Sequence, residues 1–434
     1  MPYLRRTYHL FLAFAAAVVC RFPSRRIKVI AVTGTKGKSS TTELLNAILE
    51  EAGHKTALSN TIRFKIGGES EPNLYKMSMP GRGFLQRFLR RAVNAGCEYA
   101  VIEMTSQGAL LFRHKFIELD GLIFTNLSPE HIEAHGSYEN YLDSKLDIAR
   151  QLAASRKNSR LLVVNADDPE SGRFLAAAGP TEKKIGFSLE DSGPYEIKEE
   201  GLSFAWNGRP ASSSLSGRFN LYNILAAATA AKALGIGDDA IVSAVSKFSY
   251  IPGRVQKVER GQGFEVVVDY AHTPDSLRQF YGVFKKSDPA DGGPKNICVL
   301  GGTGGGRDSW KRAEMGRIAD ENCADIILTD EDPYDEDPKK IVEDVAKGVT
   351  RKKPAIIMDR REAIREAISR ARPGDSVLIT GKGTDPFIMG PHGTKTPWSD
   401  FRVTKEELEA SLKRRNPGSR DTSPRQEIPG RRSA

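Results

Sequence analysis

The segment TGTKGKSST, Thr33 to Thr41, sets two glycines, a lysine and a row of hydroxyls between the β-branched run IKVIAVTG and the helical-period run STTELLNAILEEAG. A turn of that kind aims backbone N–H groups and a helix N-terminus at phosphate oxygens. Gly34, Thr35, Gly37 and Ser40 would form the cradle, Lys38 would reach the outer phosphates, and Ser39 would hold magnesium. Val32 stands where the strict GxxxxGK(S/T) pattern has its first glycine. The strand-loop-helix context still predicts a bound nucleotide rather than an empty turn.

Further chemistry-bearing side chains follow other apolar runs. Glu103 closes EYAVIEM, and FTNLSPEHIEAHGSYENYLDSK supplies Asn126, His131, His135 and Lys145. Singly, each reads as a cap or a surface residue. Beside a phosphate loop they form a metal and phosphate cluster, because the charge on ATP oxygens must be neutralised for transfer to proceed.

The elements that must position these groups repeat along the chain. EYAVIEM, DGLIFTNL, RLLVVNA, FEVVVDYAH, KNICVLGG, ADIILTD, PAIIMD and DSVLITG are short apolar runs ending in polar or glycine residues, most followed by a helical pattern. Buried strands alternating with helices predict an α/β protein with parallel sheets. The series is too long for one doubly wound domain, which predicts a boundary near IPGR, Ile251 to Arg254. No solenoid-type repeat is present.

Length and charge narrow the function classes. The 434 residues suggest two or three domains, and 39% hydrophobic with 27% charged residues excludes a fibrous or mostly disordered chain. Of the net charge of +9, residues 1–28 contribute +6 and residues 413–434 contribute +5, leaving the body at −2. Positive charge in two tails, rather than on a folded face, argues against nucleic acid. The four cysteines are scattered, with no CxxC pair, so neither a disulfide framework nor a zinc site is expected and a reducing cytoplasm fits best.

The apolar stretch Tyr8 to Cys20 is flanked by Arg5, Arg6, Arg21, Arg25 and Arg26. It is shorter than the roughly 20 residues a membrane span needs. It is followed by CRFPSRR rather than a small-residue cleavage site, which disfavours a signal peptide. Two readings stay open: an interfacial helix on an anionic membrane face, or a helix packed on the protein's own body. The stretch after Lys413 lacks apolar periodicity and is expected to be disordered.

The motifs TGTKGKSST, EMTSQ, FTNLSPEHIEAHGS with YLDSK, NADDP, GRFNLYN, IPGR, VDYAHTPDSL, GGRDSWKR and GKG together resemble the Mur ligases, in the family's order and from about Lys28 to Glu409. The tripeptide-synthetase branch, which adds the third amino acid of the peptidoglycan stem peptide, is the nearest. The resemblance implies a short N-terminal segment (1–28), a central P-loop-type parallel-sheet ATP-binding domain (29–251), a C-terminal Rossmann-like α/β domain (252–413) and a basic tail (414–434). It also implies an ATP-dependent amide ligase: a carboxylate is phosphorylated to an acyl phosphate, and an amino acid's amine displaces the phosphate.

By the same resemblance Lys38 and Asn126 contact the γ-phosphate, Ser39 and Glu103 bind magnesium, and His131 binds a second magnesium. Lys145 matches the lysine that the family carbamoylates. Asn220 and Asn223 lie near adenine, Arg254 reaches the phosphates on closure, Asp269 contacts ribose, and His272 lines the pocket. Arg307 and Lys311 face the substrates. Asp332, Pro333, Tyr334, Gly381 and Asp385 fall in the amino-acid pocket. From the residues alone, Asn220 and Asn223 could equally cap a helix, Asp269 could end a strand, and Lys311 could be a solvated helix charge. The run GGTGGG is no dinucleotide fingerprint, since Arg307 occupies the third glycine's place.

Departures from the family pattern bear on substrate. The DNPR motif of diaminopimelate-adding members is here Glu331, Asp332, Pro333, Tyr334, without the arginine that would grip a second carboxylate. Acidic Glu331 and Asp332 tilt the expected choice toward lysine or another basic amino acid. GKGHE becomes GKGTD, with Thr384 and Asp385, and Gln107 replaces the histidine of EVSSH. The family's uridine-nucleotide domain, of small-domain size at about 80 to 100 residues, is reduced to residues 1–28, which puts UDP recognition in question. The expected assembly state is a monomer, the expected place cytoplasmic with peripheral membrane contact through residues 8–26. Two other readings remain: a folylpolyglutamate-type ligase on the same scaffold, and a nucleotide-binding protein without ligase activity.

Overall fold

The computed structural model describes residues 3–81, 83–130, 132–181, 183–286, 293–306 and 309–415. Its first large sheet contains β1 (Lys28–Thr33), β2 (Thr56–Ser59), β3 (Arg63–Ile66), β4 (Glu69–Pro72), β5 (Tyr99–Glu103), β6 (Gly121–Phe124), β7 (Leu161–Asn165) and β8 (Lys183–Phe187), in the order β4-β3-β2-β5-β1-β6-β7-β8. All neighbours from β2 to β8 along this order run parallel, while β3 and β4 form an antiparallel edge. A small antiparallel sheet follows, with β9 (Glu196–Lys198), β10 (Gly201–Trp206) and β11 (Arg209–Ser213).

The second large sheet holds β12 (Gln256–Lys257), β13 (Glu265–Val268), β14 (Asn296–Leu300), β15 (Asp325–Leu328), β16 (Ala355–Ile356) and β17 (Ser376–Ile379), ordered β12-β13-β17-β14-β15-β16. β12 is antiparallel and the others are parallel. A final pair, β18 (Phe387–Met389) and β19 (Lys395–Pro397), leads into the helix Asp400–Arg415. The expected α/β architecture of two successive parallel-sheet units is what the chain adopts.

Strand periodicity explains why both sheets are covered on both faces. In β1, Ile30 and Val32 point into one apolar cluster with Leu44, Leu45 and Ile48 of the helix Lys38–Glu51, while Val29 and Ala31 point into the other. In β14, Cys298 and Leu300 face one side and Ile297 and Val299 the other. Each such side chain, wholly buried, contributes about 1.5–3 kcal/mol, so continuous apolar strands require helices on both faces. The short polar strands Glu69–Pro72, Glu196–Lys198 and Lys395–Pro397 carry no such signal, being fully exposed.

Two expectations need correction. Cys298 and Cys323 are joined as a disulfide, with Cα atoms 6.0 Å apart. The crossover helix Lys311–Asn322 returns the chain beside β14, so a spacing of 25 residues becomes contact. The helix Asp400–Arg415 also continues past Lys413, where a disordered tail was expected to begin. The rest of that expected tail lies outside the described residues.

The N-terminal helix Tyr3–Val19 has two unlike sides. Ala17 is buried, Ala16 meets Gly83, Phe14 stacks edge-on against Phe116 at 5.3 Å, and Arg90 Nε donates to Cys20 O at 2.9 Å. Tyr8, Phe11, Val18 and Val19 face outward, Val19 being 81% exposed. Among the described residues no helix is long and apolar enough to cross a membrane.

A buried ion pair ties the last helix to the second sheet. Arg360 Nε and Nη2 donate to the two oxygens of Asp400 at 2.8 and 2.7 Å, and Nη2 also donates to Thr380 O at 2.7 Å, just past β17. Asp400→Asn should therefore lower the unfolding free energy by about 3–5 kcal/mol, since it strands a buried guanidinium. Urea unfolding would read this; a loss below about 1 kcal/mol would mean the pair behaves as a surface pair.

Candidate active site

Sheet order decides which side chains meet. β1 lies between β5 and β6, with Val32 opposite Glu103 and Thr33 opposite Phe124. The carboxyl ends of three parallel strands therefore put the phosphate loop, Glu103 and Asn126 side by side, where open α/β sheets gather ligands. Gly34 has φ 147°, and a Cβ there would lie 2.0 Å from Thr125 Oγ1. Gly37 has φ 78°, and its Cβ would lie 2.1 Å from Asn223 Oδ1. Only glycine fits either position.

The loop is held from below. Thr35 N donates to Asn126 O at 2.8 Å, and Lys36 N donates to Asn126 Oδ1 at 2.9 Å while Asn126 Nδ2 donates to Lys36 O at 3.1 Å. Thr35 Oγ1 shares a 2.8 Å hydrogen bond with Tyr141 OH. Asn126 thus positions the loop. Ser39 and Ser40 start the helix Lys38–Glu51, and both are buried.

Four charged groups converge here. Ser39 Oγ donates to Glu103 Oε2 at 2.7 Å, Thr61 N to the same oxygen at 3.1 Å, and Ser78 Oγ to Oε1 at 2.8 Å. Burial opposes the charge of Glu103, but Lys38 and these hydrogen bonds outweigh it and hold the carboxyl below its usual range. Lys38 Nζ donates to Thr35 O at 2.8 Å; burial lowers its pKa against the pull of Glu103 and Glu130. Lys145 Nζ donates to Gly34 O at 2.5 Å and lies 4.8 Å from the Tyr141 ring centre. Burial, reinforced by the charge of Lys38, pushes Lys145 well below the usual lysine value, toward a neutral amine.

Ser39 and Glu103 form an oxygen-donor pair, and among the described residues no three His, Cys, Asp or Glu side chains cluster as a metal cage. That donor set fits magnesium, which is held by one or two protein oxygens together with phosphate oxygens and water. His135 is buried, its Nε2 has no hydrogen-bond partner among the described residues, and its ring meets Tyr141 edge-on at 5.3 Å. His131 and Arg307, expected at the metal and at the substrates, lie outside the described residues.

On the nucleotide side, Asn220 and Asn223 are buried on the helix Arg218–Ala233. Asn220 Nδ2 donates to Ser216 O at 2.7 Å, and Asn223 Nδ2 to Asn220 Oδ1 at 3.2 Å, with Asn223 packed on Gly37. Arg254 lies 4.3 Å over the Tyr270 ring, with its buried Nη1 unpartnered among the described residues. Asp269 accepts from Val255 N at 2.8 Å and Ala271 N at 2.6 Å, so it pins the turns on both sides of β13. Burial raises its carboxyl pKa against the pull of Arg254. His272 Nδ1 lies 2.8 Å from Tyr270 O and its Nε2 3.9 Å from Glu130; burial and then Lys36 push it well below the usual histidine value.

The second sheet presents its own carboxyl ends to the same cleft. Lys311 is buried at the start of the helix Lys311–Asn322. Asp332, Pro333 and Tyr334 follow β15: Gly304 N donates to Asp332 O at 2.8 Å, Gly304 packs on Pro333 O, and Tyr334 N donates to Met389 O at 3.0 Å. Gly381, with φ 109°, abuts Glu331. The expected acidic pair is divided. Glu331 accepts from Thr303 Oγ1 at 2.8 Å in a buried site that raises its pKa, while Asp332 and Asp385 are bound by lysines of this chain.

Several contributors escaped sequence reading. Glu130, which pairs Lys36 at 2.8 Å, sits inside the quoted SPEHIE, and Lys382 sits inside the quoted GKG. Thr61, Lys76 and Ser78 come from stretches without helical or strand periodicity.

Comparison with known proteins agrees with this geometry. Residues 32–231 match the Mur ligase middle domain and residues 253–383 match the Mur ligase, glutamate ligase domain. The chain is 36% identical over 422 residues to a UDP-N-acetylmuramyl-tripeptide synthetase of Roseiflexus sp. (strain RS-1), covering 92% of this chain and 81% of that protein. It also superposes on a UDP-N-acetylmuramoyl-L-alanyl-D-glutamate–2,6-diaminopimelate ligase with TM-score 0.60, at 28% identity over 89% of this chain and 79% of the other. A Mycobacterium tuberculosis folylpolyglutamate synthase shares the fold, with TM-score 0.66 over 93% and 95% of the two chains at 14% identity.

Holding the pKa of Lys145 well below its usual value by burial makes stability depend on pH. Below the free-lysine value of 10.5 the unfolded chain binds a proton that the native site disfavours, so stability rises with pH from the folded pKa up to 10.5. Lys145→Met should flatten that slope and raise stability at neutral pH in urea titrations. An unchanged slope would mean that Lys145 keeps its proton in the fold.

Proposed function

Because this chain belongs to the Mur ligase family and is an ATP-dependent, ADP-forming acid–amino-acid ligase, we propose that it adds an amino acid to the UDP-N-acetylmuramoyl stem peptide of peptidoglycan. The observation that carries the reading is the convergence of Lys38, Ser39, Glu103 and Lys145 on one glycine loop, facing a second sheet whose strand ends supply Asp269, Lys311, Asp332 and Asp385. The phosphate loop and the magnesium donors come before Ile251 to Arg254, while Arg254, Asp269 and His272 complete the nucleotide site from after it and the amino-acid pocket follows. A single chain supplies both halves of the cleft, which supports a monomer as the working unit.

The terminal phosphoryl group of ATP passes to an acceptor carboxylate oxygen, giving ADP and an acyl phosphate. The amine of the amino acid then forms the C–N bond, the C–O bond to phosphate breaks with its electron pair leaving on phosphate, and the amine loses a proton. Lys38 stabilises the charge in transfer once it swings from Thr35 O to the phosphate. Magnesium, held by Ser39 and Glu103 with His131, would neutralise phosphate oxygens. Arg254, with its unpartnered Nη1, supplies a cation from the second half of the cleft.

Lys145 supports carbamoylation. Its lowered pKa favours the deprotonated amine, which can attack carbon dioxide, forming an N–C bond as one C–O π bond opens and releasing a proton to water. The product would be an anion within electrostatic reach of Lys38, able to supply an oxygen donor where Lys145 now carries an amine. Burial that is unfavourable for an ammonium suits this outcome, because the new negative charge meets the lysine cation already there.

Phosphate release from ATP, with magnesium and bicarbonate across an amino-acid panel, should require UDP-N-acetylmuramoyl-dipeptide and yield an amide by mass spectrometry. Lys38→Ala should reduce it by at least about a hundredfold, and Lys145→Ala should be inactive but partly restored by acetate. Turnover with a folate-like carboxylate and none with the muramoyl acceptor would move the chain to the folylpolyglutamate reading. ATP binding without turnover on any acceptor would leave a nucleotide-binding protein.

The N-terminal helix supports peripheral contact with an anionic membrane face, since Tyr8, Phe11, Val18 and Val19 are exposed beside Arg21, Arg25 and Arg26. Full-length protein should pellet with anionic vesicles at low salt, and Tyr8→Ser with Phe11→Ser should reduce this several-fold. Equal pelleting of both would end the membrane assignment.

A further inference from the structure

Lys76 belongs to none of the groups assigned so far, yet it joins the two halves of the cleft. It lies between β4 and the helix Phe84–Asn94, with left-handed backbone at φ 53°. Its neighbours are pinned: Asn73 Nδ2 donates to Asn60 O at 2.8 Å and to Met77 O at 3.0 Å, Tyr75 N donates to Asn73 Oδ1 at 2.9 Å, and the Tyr75 ring packs on Phe64 and Phe84. Two residues on, Ser78 Oγ donates to Glu103 at 2.8 Å. One short segment therefore touches the phosphate side of the first sheet and, through Lys76, the acidic side of the second.

Lys76 Nζ is 2.9 Å from Asp332 Oδ2 and 2.9 Å from Asp385 Oδ2, and donates to Phe387 O at 3.3 Å. Lys382, wholly buried, reaches Asp332 Oδ1 at 2.8 Å and Asp385 Oδ2 at 3.0 Å. Met389 N donates to Asp332 Oδ1 at 2.7 Å. Two carboxylates and two ammonium groups thus form a closed, charge-balanced set. Although burial works against it, Asp385 and Asp332 raise the pKa of Lys76, so it carries its proton throughout the working range.

We propose that Lys76 is a specificity-determining residue: its ammonium, supplied across the cleft, fills the Asp332–Asp385 pair, so that the amino acid added presents no free ammonium there. This rests on the ligase reading and on the placing of Asp332 and Asp385 in the amino-acid pocket. The acidic residues that in isolation favour a basic amino acid are already satisfied by the chain itself. A substrate ammonium has to displace Lys76, which the pinned backbone opposes, or sit beside two cations. Like charges brought together in this way reject a ligand as effectively as missing contacts do.

The test compares L-norleucine with L-lysine, which differ by the terminal ammonium, on the full chain and on Lys76→Met, with Lys76→Gln as the second variant should the first not fold. One arm reads thermal unfolding in n-butylammonium chloride against equal sodium chloride. The parent should not respond, and Lys76→Met should gain stability with concentration. Stabilisation of the parent equal to that of the variant, or of neither protein, overturns the proposal.

The second arm reads amino-acid-dependent ADP release. The parent should favour norleucine over lysine by at least about tenfold, the equivalent of one lost charge contact, and Lys76→Met should narrow or invert that ratio while Lys76→Arg keeps it. A parent that favours lysine, with the preference unchanged in Lys76→Met, overturns the proposal. Absence of ADP release with any amino acid in any variant would count against the ligase reading alone, and the unfolding arm still decides whether Lys76 fills a cation site.

Discussion

Two lysines buried beside one glycine loop are the constraint around which the active cleft is organised. Burial lowers the proton affinity of both Lys38 and Lys145, the charge of Lys38 lowers that of Lys145 further, and Glu103 and Glu130 are the carboxylates close enough to compensate. An arrangement like this is costly in the resting fold, because burying charge is repaid only by close, well-directed partners. It becomes favourable when a polyphosphate supplies negative oxygens. The fixed parts around it follow from that need: glycines where a Cβ would strike Thr125 or Asn223, an asparagine bracketing Lys36, and hydroxyls loading the Glu103 carboxylate.

The second half of the cleft obeys the same rule with opposite sign. Asp332 and Asp385 are buried anions that meet Lys382 from their own sheet and Lys76 from the other. Each large sheet thus lends charge to the other across a gap where carboxyl ends of parallel strands face one another. Glu130, 3.9 Å from His272 Nε2, is a second point where the two halves meet, there without a paired charge on the imidazole. Interdomain contact made of ion pairs and polar bonds is weaker per area than an apolar interface, which suits a cleft that admits and releases ligands.

Much of the architecture was legible in the chain. Nine apolar β-branched runs became parallel strands, because a strand buried on both faces must be apolar throughout. Among the strands that escaped, Glu69–Pro72, Glu196–Lys198 and Lys395–Pro397 are short, exposed and polar, so nothing in their composition separates them from loop, while Thr56–Ser59 is buried but only four residues long. The Cys298–Cys323 bond escaped because spacing along the chain says nothing of a helix returning beside the strand it left.

The cleft divides in the same way. TGTKGKSST, Glu103, Asn126 and Lys145 were visible because phosphate chemistry demands particular residue types at a strand-to-helix turn, a local requirement that sequence records directly. That Asn126 is spent on the loop backbone, that Lys145 sits under Gly34 with its pKa lowered by burial, and that Glu331 stands apart from Asp332 were decided by packing alone. Lys76 is the clearest case. In the chain it is a lysine outside any motif, 256 residues from Asp332, and only the facing of two sheets turns it into that residue's counterion. Local chemistry is written in residue type and spacing, whereas the sign and occupancy of a pocket depend on which distant charges the fold brings within hydrogen-bond distance.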